Sequence, residues 1–242
     1  MTTVLRVAVP VATVWTSPDA PRDLDAAAVG DRPDVDGWLA GLSAVDRLGL
    51  HGRTLTQLLA DEPVLVVEEA DDWVRVAAPW QPVPGQDGYL GWVPRGQLRE
   101  PRDDDPDHAT AQVPADRIAV AAYAERFAGL VYLWGGTSPA GFDCSGLVHY
   151  CYRQAGVVVP RDSPDQAHAA APIPLGEEEP GDLYFFAHED GRIYHVGFVT
   201  GRGRMLHAPE SDGSGRIVDE ELTDERRRDL VAVGRFAIPV NG

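Results

Sequence analysis

The sequence predicts an α+β domain preceded by a small all-β barrel. Three observations carry that expectation. Residues 4–93 hold several short alternating runs rich in Val and Trp, separated by Asp, Gly and Pro, which is the pattern of a small barrel. From residue 114 the spacing becomes helical and later returns to alternation, and helices followed by a sheet make an α+β order. Between the two, Glu100 to Gln112 carries Asp103, Asp104, Asp105 and Asp107 around Pro106, and such a charge run reads as a solvated linker. The expected organisation is therefore a domain over 1–99 with an insertion near 16–52, a linker over 100–113, and a second domain over 114–242.

In the first domain, residues 4–15 alternate and read as one strand ending at Trp15. Residues 16–52 begin with Pro, Asp and Gly and then carry a short helical patch through Trp38 to Val45. Val64 to Glu68 and Trp73 to Ala77 read as strands on either side of an Asp71-Asp72 turn, and Gly88 to Pro94 as a last strand and turn. In the second domain Asp116 reads as the cap of a helix running to Ala128 and ended by Gly129, with Ile118, Ala121, Ala122 and Ala128 as its apolar face. From Leu183 onward the chain reads as antiparallel strands, the last near 231–239.

Cys144 is where the chemistry concentrates. It follows the glycine-rich run Tyr132-Leu133-Trp134-Gly135-Gly136 and opens a helical pattern in which Leu147, Tyr150, Cys151 and Gln154 are spaced for one face and Gly156 is the stop. A helix N-terminus favours an anion, so this placement predicts a lowered thiol pKa and a reactive thiolate. His195 lies in the alternating run Ile193 to Val199, and His207, twelve residues on, lies in a second run after the turn Gly201-Arg202-Gly203. A helix-borne Cys, a strand-borne His and a polar residue on the next strand suit a papain-like acyl transfer. His195 takes the thiol proton and passes it to the leaving amine, and His207 orients the His195 ring. His149 and His168 read as surface positions on helices, His188 as a solvated turn residue and Cys151 as helix core.

Composition narrows the function. A formal net charge of −17 over 242 residues argues against nucleic acid and anionic membranes as partners. The two cysteines lie seven apart on one predicted helix, about 10 Å along its axis, which is beyond disulfide reach. Neither has metal-ligand spacing, so no metal or other cofactor is expected. The first residues lack a basic segment followed by a long apolar run, so the expected setting is cytoplasmic, or secreted if a leader has been removed.

Phe142-Asp143-Cys144-Ser145-Gly146-Leu147, Pro180-Gly181-Asp182-Leu183-Tyr184-Phe185-Phe186, His195-Val196-Gly197 and His207-Ala208 appear in an order that closely resembles the NlpC/P60 family of cell-wall cysteine peptidases. Upstream, Asp71-Asp72-Trp73-Val74-Arg75-Val76 and Gly88-Tyr89-Leu90-Gly91-Trp92-Val93 resemble strands of a bacterial SH3-like domain. The resemblance implies a papain-like catalytic fold and hydrolysis of the γ-D-glutamyl–diamino acid bond in stem peptides. It assigns Cys144, His195 and His207 to catalysis and places Tyr132 beside the nucleophile as an oxyanion donor. Val159 to Gln166 resembles a subgroup that requires a free N-terminal L-Ala. There Asp162 matches the residue that binds the α-ammonium, Tyr89 is the candidate for the SH3-like tyrosine that closes the pocket, and Asp143, Ser145 and Ser163 match dipeptide contacts. Trp134 is a candidate pocket wall. The partner implied is a small wall peptide, which suits peptide recycling. The rival readings are a secreted wall-lytic hydrolase anchored by its SH3-like domain, and an amidase or acyltransferase on the same scaffold.

Overall fold

The computed structural model describes residues 2–107, 111–211 and 213–238. Residues 108–110 of the expected linker, the end of the strand expected near 231–239 and the two extremes of the expected domains lie outside them. The N-terminal half is one antiparallel sheet of β1 (Val4–Val7), β2 (Val11–Trp15), β3 (Thr54–Leu59), β4 (Pro63–Ala70), β5 (Trp73–Ala78), β6 (Tyr89–Pro94) and β7 (Leu98–Arg99). The ladder runs β3-β2-β6-β5-β4-β1-β7 around Leu5, Val14, Leu58, Val74, Val76 and Val93, all buried together. The single strand expected over residues 4–15 is two strands. Ala8 turns aside to donate to the Gln97 carbonyl, and Pro10 has no N–H to continue a ladder. The Asp71-Asp72 turn stands as expected, with Asp71 at φ 49°, as a two-residue hairpin requires.

The insertion carries three short helices, α1 (Ala26–Val29), α2 (Val35–Gly41) and α3 (Ala44–Leu48). The single helical patch expected through Trp38 to Val45 breaks at Ser43, which caps α3 with a capping box to Asp46. Trp15, Trp38, Leu39, Leu42 and Leu50 form their own core and pack on Leu133 of the C-terminal half. Arg47 donates from Nε to the Gly213 carbonyl at 3.0 Å. The insertion thus buttresses the loop that precedes the candidate nucleophile.

The C-terminal half begins with α4 (Arg117–Ala124), capped by Asp116 and continued by a 3-10 turn to Phe127. Its buried face is Val120, Ala121 and Ala124; Ile118, Ala122 and Ala128 are exposed, which corrects the face expected from spacing. A short hairpin of β8 (Thr137–Ser138) and β9 (Gly141–Phe142) leads into α5 (Cys144–Gln154), and α6 (Ser163–Ala169) follows. A six-stranded sheet then forms from β10 (Ala171–Ile173), β11 (Leu183–Ala187), β12 (Ile193–Gly201), β13 (Arg204–His207), β14 (Val218–Glu221) and β15 (Leu230–Arg235), with α7 (Asp224–Asp229) before β15. The strand order is β10-β15-β11-β12-β13-β14.

The two halves meet along the edge strand β3, and the seam is polar. Thr137 donates from its N–H to Gln57 Oε1 at 3.2 Å and Ser138 from its hydroxyl at 2.8 Å. Arg153 pairs at 2.5 Å with Glu62, whose side chain is fully buried. Covering an edge in this way removes a row of groups open to pairing with other chains. The linker is pinned as well: Asp105, expected to be solvated, accepts from Arg99 at 2.9 Å, and its side chain is 6% exposed.

Cleavage chemistry aside, α5 carries a stability prediction. His149, expected at the surface, is 1% exposed. Its Nδ1 donates to the Val159 carbonyl at 2.8 Å, and its Nε2 is buried with no partner among the described residues. Burial, then the nearby Arg153 and Arg161, push its pKa from 6.5 down to about 3. The folded state holds this ring neutral while the unfolded chain protonates it near 6.5, so its contribution is complete above 6.5 and is lost as pH falls toward 3. The urea midpoint is therefore expected to fall from pH 7 to pH 4, and to fall less in His149→Gln. An identical fall in the variant would contradict the assignment.

Candidate active site

Asp143 starts α5. Its Oδ1 accepts from the Gly146 N–H at 2.7 Å, and its Oδ2 accepts from the Gly135 N–H at 2.9 Å. The helix end presses so closely on the preceding loop that a Cβ on Gly146 would lie 1.9 Å from the Gly136 carbonyl oxygen; only glycine fits there. Behind Asp143 lies Arg161, 1% exposed. It donates from Nη1 to Asp143 Oδ1 at 3.0 Å and from Nη2 to Oδ2 at 2.5 Å. It also reaches Ser145 Oγ at 3.0 Å and, across the seam, Thr56 Oγ1 at 2.9 Å from Nε. Asp143 and Ser145 do line the cleft, but their side-chain oxygens are already engaged by Arg161 and the helix cap.

Cys144 opens onto a cleft of about 670 Å³ that also takes in Tyr89, Tyr132, Trp134, Asp162 and His195. Ser163, the first residue of α6, lines it too. Every residue expected in the site is thus brought to one cleft except His207, which stands behind His195. His195 Nε2 and His207 Nδ1 are 2.7 Å apart. His207 Nε2 lies 3.0 Å from Glu220 Oε1, a residue the sequence reasoning missed. Phe198 pairs with Leu206, and Met205 with Glu220, so the two-residue period of a strand puts His195, His207 and Glu220 on one face of three neighbouring strands. Gly197 makes room: a Cβ there would come 3.0 Å from the His207 Cβ.

The relay fixes its own tautomers. An ionised carboxylate only accepts, so His207 carries its proton on Nε2. Its bare Nδ1 then accepts from His195 Nε2–H, which leaves His195 Nδ1 bare. The expected low thiol pKa is corrected: burial, then the Asp143 charge, push Cys144 up to about 12, against the N–H groups of Val196 and Ser145. Burial, then Arg226 and His207, hold His195 well below its usual value. Burial thus favours the neutral form of both the thiol and the imidazole. Desolvation outweighs the helix end, because the mouth of α5 is enclosed by both halves.

At the other end of the cleft Asp162 is the N-cap residue of α6, yet its side chain makes no capping hydrogen bond. It accepts instead from the Tyr89 hydroxyl at 2.9 Å. Burial, offset by Arg161 and Tyr89, raises the Asp162 pKa, and burial keeps the Tyr89 phenol protonated. Trp134 forms a wall, stacked on His51 with ring centres 3.9 Å apart and donating from Nε1 to the Thr54 carbonyl at 3.1 Å. Among the described residues no group of acidic, His or Cys side chains is arranged to hold a metal ion, and no helix is long and apolar enough to cross a membrane.

A thiol at a helix mouth, served by an imidazole chain on an antiparallel sheet, defines a papain-like cysteine peptidase. The sequence profile described as the NlpC/P60 family matches residues 129–227. A gamma-D-glutamyl-L-lysine dipeptidyl-peptidase of Bacillus subtilis (strain 168) is 32% identical over 93% of this chain and 96% of its own length. One of the same name from Bacillus cereus (strain ATCC 10987 / NRS 248) is 28% identical over 87% of this chain and 84% of its own. The crystal structure of an NlpC/P60 family protein from Bacillus cereus ATCC 10987 shares the fold, with a TM-score of 0.87 at 24% identity over 98% of this chain and 100% of that one. The chain belongs to the NlpC/P60 family, and a peptidoglycan-derived peptide substrate fits that family.

Proposed function

We propose that this peptidase hydrolyses the γ-D-glutamyl–diamino acid bond of short, free wall peptides whose N-terminal L-Ala amine is unblocked, as peptide recycling in the cytoplasm requires. The observation that carries the reading is the uncapped Asp162 carboxylate under the Tyr89 hydroxyl, 2.9 Å away. The half-exposed Asp162 carboxyl has a raised pKa and only a distant cation, Arg161 at 3.9 Å, so an incoming ammonium supplies a closer counter-charge. A blocked amine leaves it unpaired, and sites of this kind reject such analogues strongly. The two gamma-D-glutamyl-L-lysine dipeptidyl-peptidases similar to this chain support the choice of bond.

In this reading residues 1–99 and 114–242 act as the two lobes of one cleft. His195 Nδ1 takes the Cys144 proton as Sγ attacks the glutamyl carbonyl carbon. The oxyanion is met by the Cys144 N–H and by Tyr132, whose phenol burial keeps protonated. The C–N bond breaks as His195 returns the proton to the leaving amine. Water, deprotonated by the same nitrogen, then attacks the thioester, releasing the γ-carboxyl and restoring the thiol. His207 and Glu220 hold the ring and stabilise the imidazolium as it forms.

Burial lowers His207 most, the Glu220 hydrogen bond and the Glu220 and Asp219 charges raise it and the Arg226 charge lowers it, leaving it at about 4. Glu220→Leu is expected to lower kcat roughly tenfold with KM unchanged, a modest loss because a half-exposed carboxylate is screened by water. It should also move the acid limb of kcat/KM to lower pH, because the charge that favours the imidazolium is gone. A fall in kcat with an unmoved acid limb would show that Glu220 only shapes the strand.

The test of the reaction itself is digestion of L-Ala-γ-D-Glu-L-Lys and of its meso-diaminopimelate counterpart, read by mass spectrometry. Release of the dipeptide L-Ala-D-Glu and the free diamino acid is expected. Cleavage at any other bond, or of intact sacculi in preference, would overturn the proposal.

A further inference from the structure

The cleft has a second charged end. A general acid must reach the nitrogen it protonates, so the released part of the substrate lies beside His195. With the substrate amine at Asp162, that part points past His195 along the start of β12. Arg226 and Arg192 line the cleft there. Arg226 comes from α7 and lies over the Phe186 and Tyr194 rings, its guanidinium carbon 5.3 and 5.6 Å from their centres. Phe186 is the ladder partner of His195, so the guanidinium sits on the face that carries the relay. Its Nη1 donates to the Tyr194 hydroxyl at 3.2 Å, and the hydroxyl in turn donates to Asp229 at 2.7 Å.

Among the described residues no carboxylate oxygen lies within 4.0 Å of either guanidinium. Two such cations at one end of a cleft whose other end holds the Asp162 carboxylate make the cleft dipolar. Stacking on two rings holds the Arg226 fork in place and costs it little further ordering when it binds.

We propose that Arg226, seconded by Arg192, binds the free carboxylate of the leaving amino acid. The site then reads a zwitterion, ammonium at Asp162 and carboxylate at Arg226, and favours peptides that end at the diamino acid over longer or amidated ones. The orientation rests on the reading given under Proposed function.

The experiment is calorimetric binding to the Cys144→Ala protein, so that no turnover intervenes. The probes are L-Ala-γ-D-Glu-L-Lys as the free acid, its C-terminal carboxamide, and the N-acetylated acid. The acid is expected to bind roughly tenfold tighter than the carboxamide, the range of one charge-assisted hydrogen-bonded pair. Adding Arg226→Met should reduce the acid to the level of the carboxamide and leave the carboxamide unchanged, while Arg226→Lys keeps part of the preference. Equal weakening of both peptides by Arg226→Met would make the residue a support for Tyr194 only and overturn the inference. So would equal binding of acid and carboxamide, or no binding of either, by the Cys144→Ala protein. Failure of the amine reading is distinct: it appears as equal binding of the acetylated and free-amine acids.

Discussion

Cys144→Ala is expected to reduce turnover of the free tripeptide to background, a loss of about 10⁴-fold or more, with the fold intact. The size follows from the relay acting as a unit: without Sγ there is no acyl intermediate, and the His195 ring has no proton to move. The resting state adds a less obvious expectation. Because burial lifts the thiol to about 12 and holds His195 low, the thiolate is scarce until a substrate arrives. Iodoacetamide at pH 7.5 should therefore alkylate Cys144 at least roughly tenfold more slowly than an unperturbed thiol near 8.5. Rapid labelling of the resting enzyme would mean a preformed thiolate–imidazolium pair, and the helix end would then outweigh desolvation after all.

Arg161→Met is expected to have the largest effect on stability, about 3–5 kcal/mol, the cost of leaving a buried charge without its partner. The residue is 1% exposed and ties Asp143 and Ser145 to Thr56 of the other half. For a chain of this length that is a fall of about 10 °C in Tm. The double variant with Asp143→Asn should recover part of the loss, since the stranded charge goes with it, though the helix cap is weakened. Additive losses in the double variant would mean that the pair is not coupled. Lys at 161 is a poor substitute, because it cannot hold Asp143 with a fork.

What the sequence made legible was local. The turn-to-helix pattern around Cys144, the alternation around His195 and the twelve-residue step to His207 each depend on neighbouring residues, and each survives in three dimensions as read. Asp162 and Tyr89 meet at 2.9 Å although they are 73 residues apart, and only the resemblance had brought them together. Glu220 was hidden because its role depends on ladder register. Asp219, Glu220 and Glu221 look alike in the chain, and it is the alignment of β14 with β13 that chooses the middle one. His149 was hidden for another reason. Nearly every residue of α5 is buried, against α4, the sheet and the edge strand of the other half, so the helix has no polar face to read. The thiol pKa was misjudged because a helix end is visible in sequence and enclosure is not.

The insertion, opaque in the sequence, accounts for how the cleft is enclosed. Gly52 and Thr54 line it where the insertion ends and β3 begins, and His51 both stacks on Trp134 and approaches Glu210 at 2.5 Å. With Tyr89 from β6 on the same side, the N-terminal half supplies a wall to the cleft. In the proposed reading this wall stands at the amine end of the bound peptide.

The most direct test of that account is the ratio of kcat/KM for L-Ala-γ-D-Glu-L-Lys to that for its N-acetylated twin, measured for the wild type and for Asp162→Asn. The wild type is expected to favour the free amine by at least roughly a hundredfold, and the variant to lose most of that preference by falling on the free-amine peptide alone. A wild-type ratio near one, or a ratio that Asp162→Asn leaves unchanged, would contradict the claim that this carboxylate reads the substrate's ammonium.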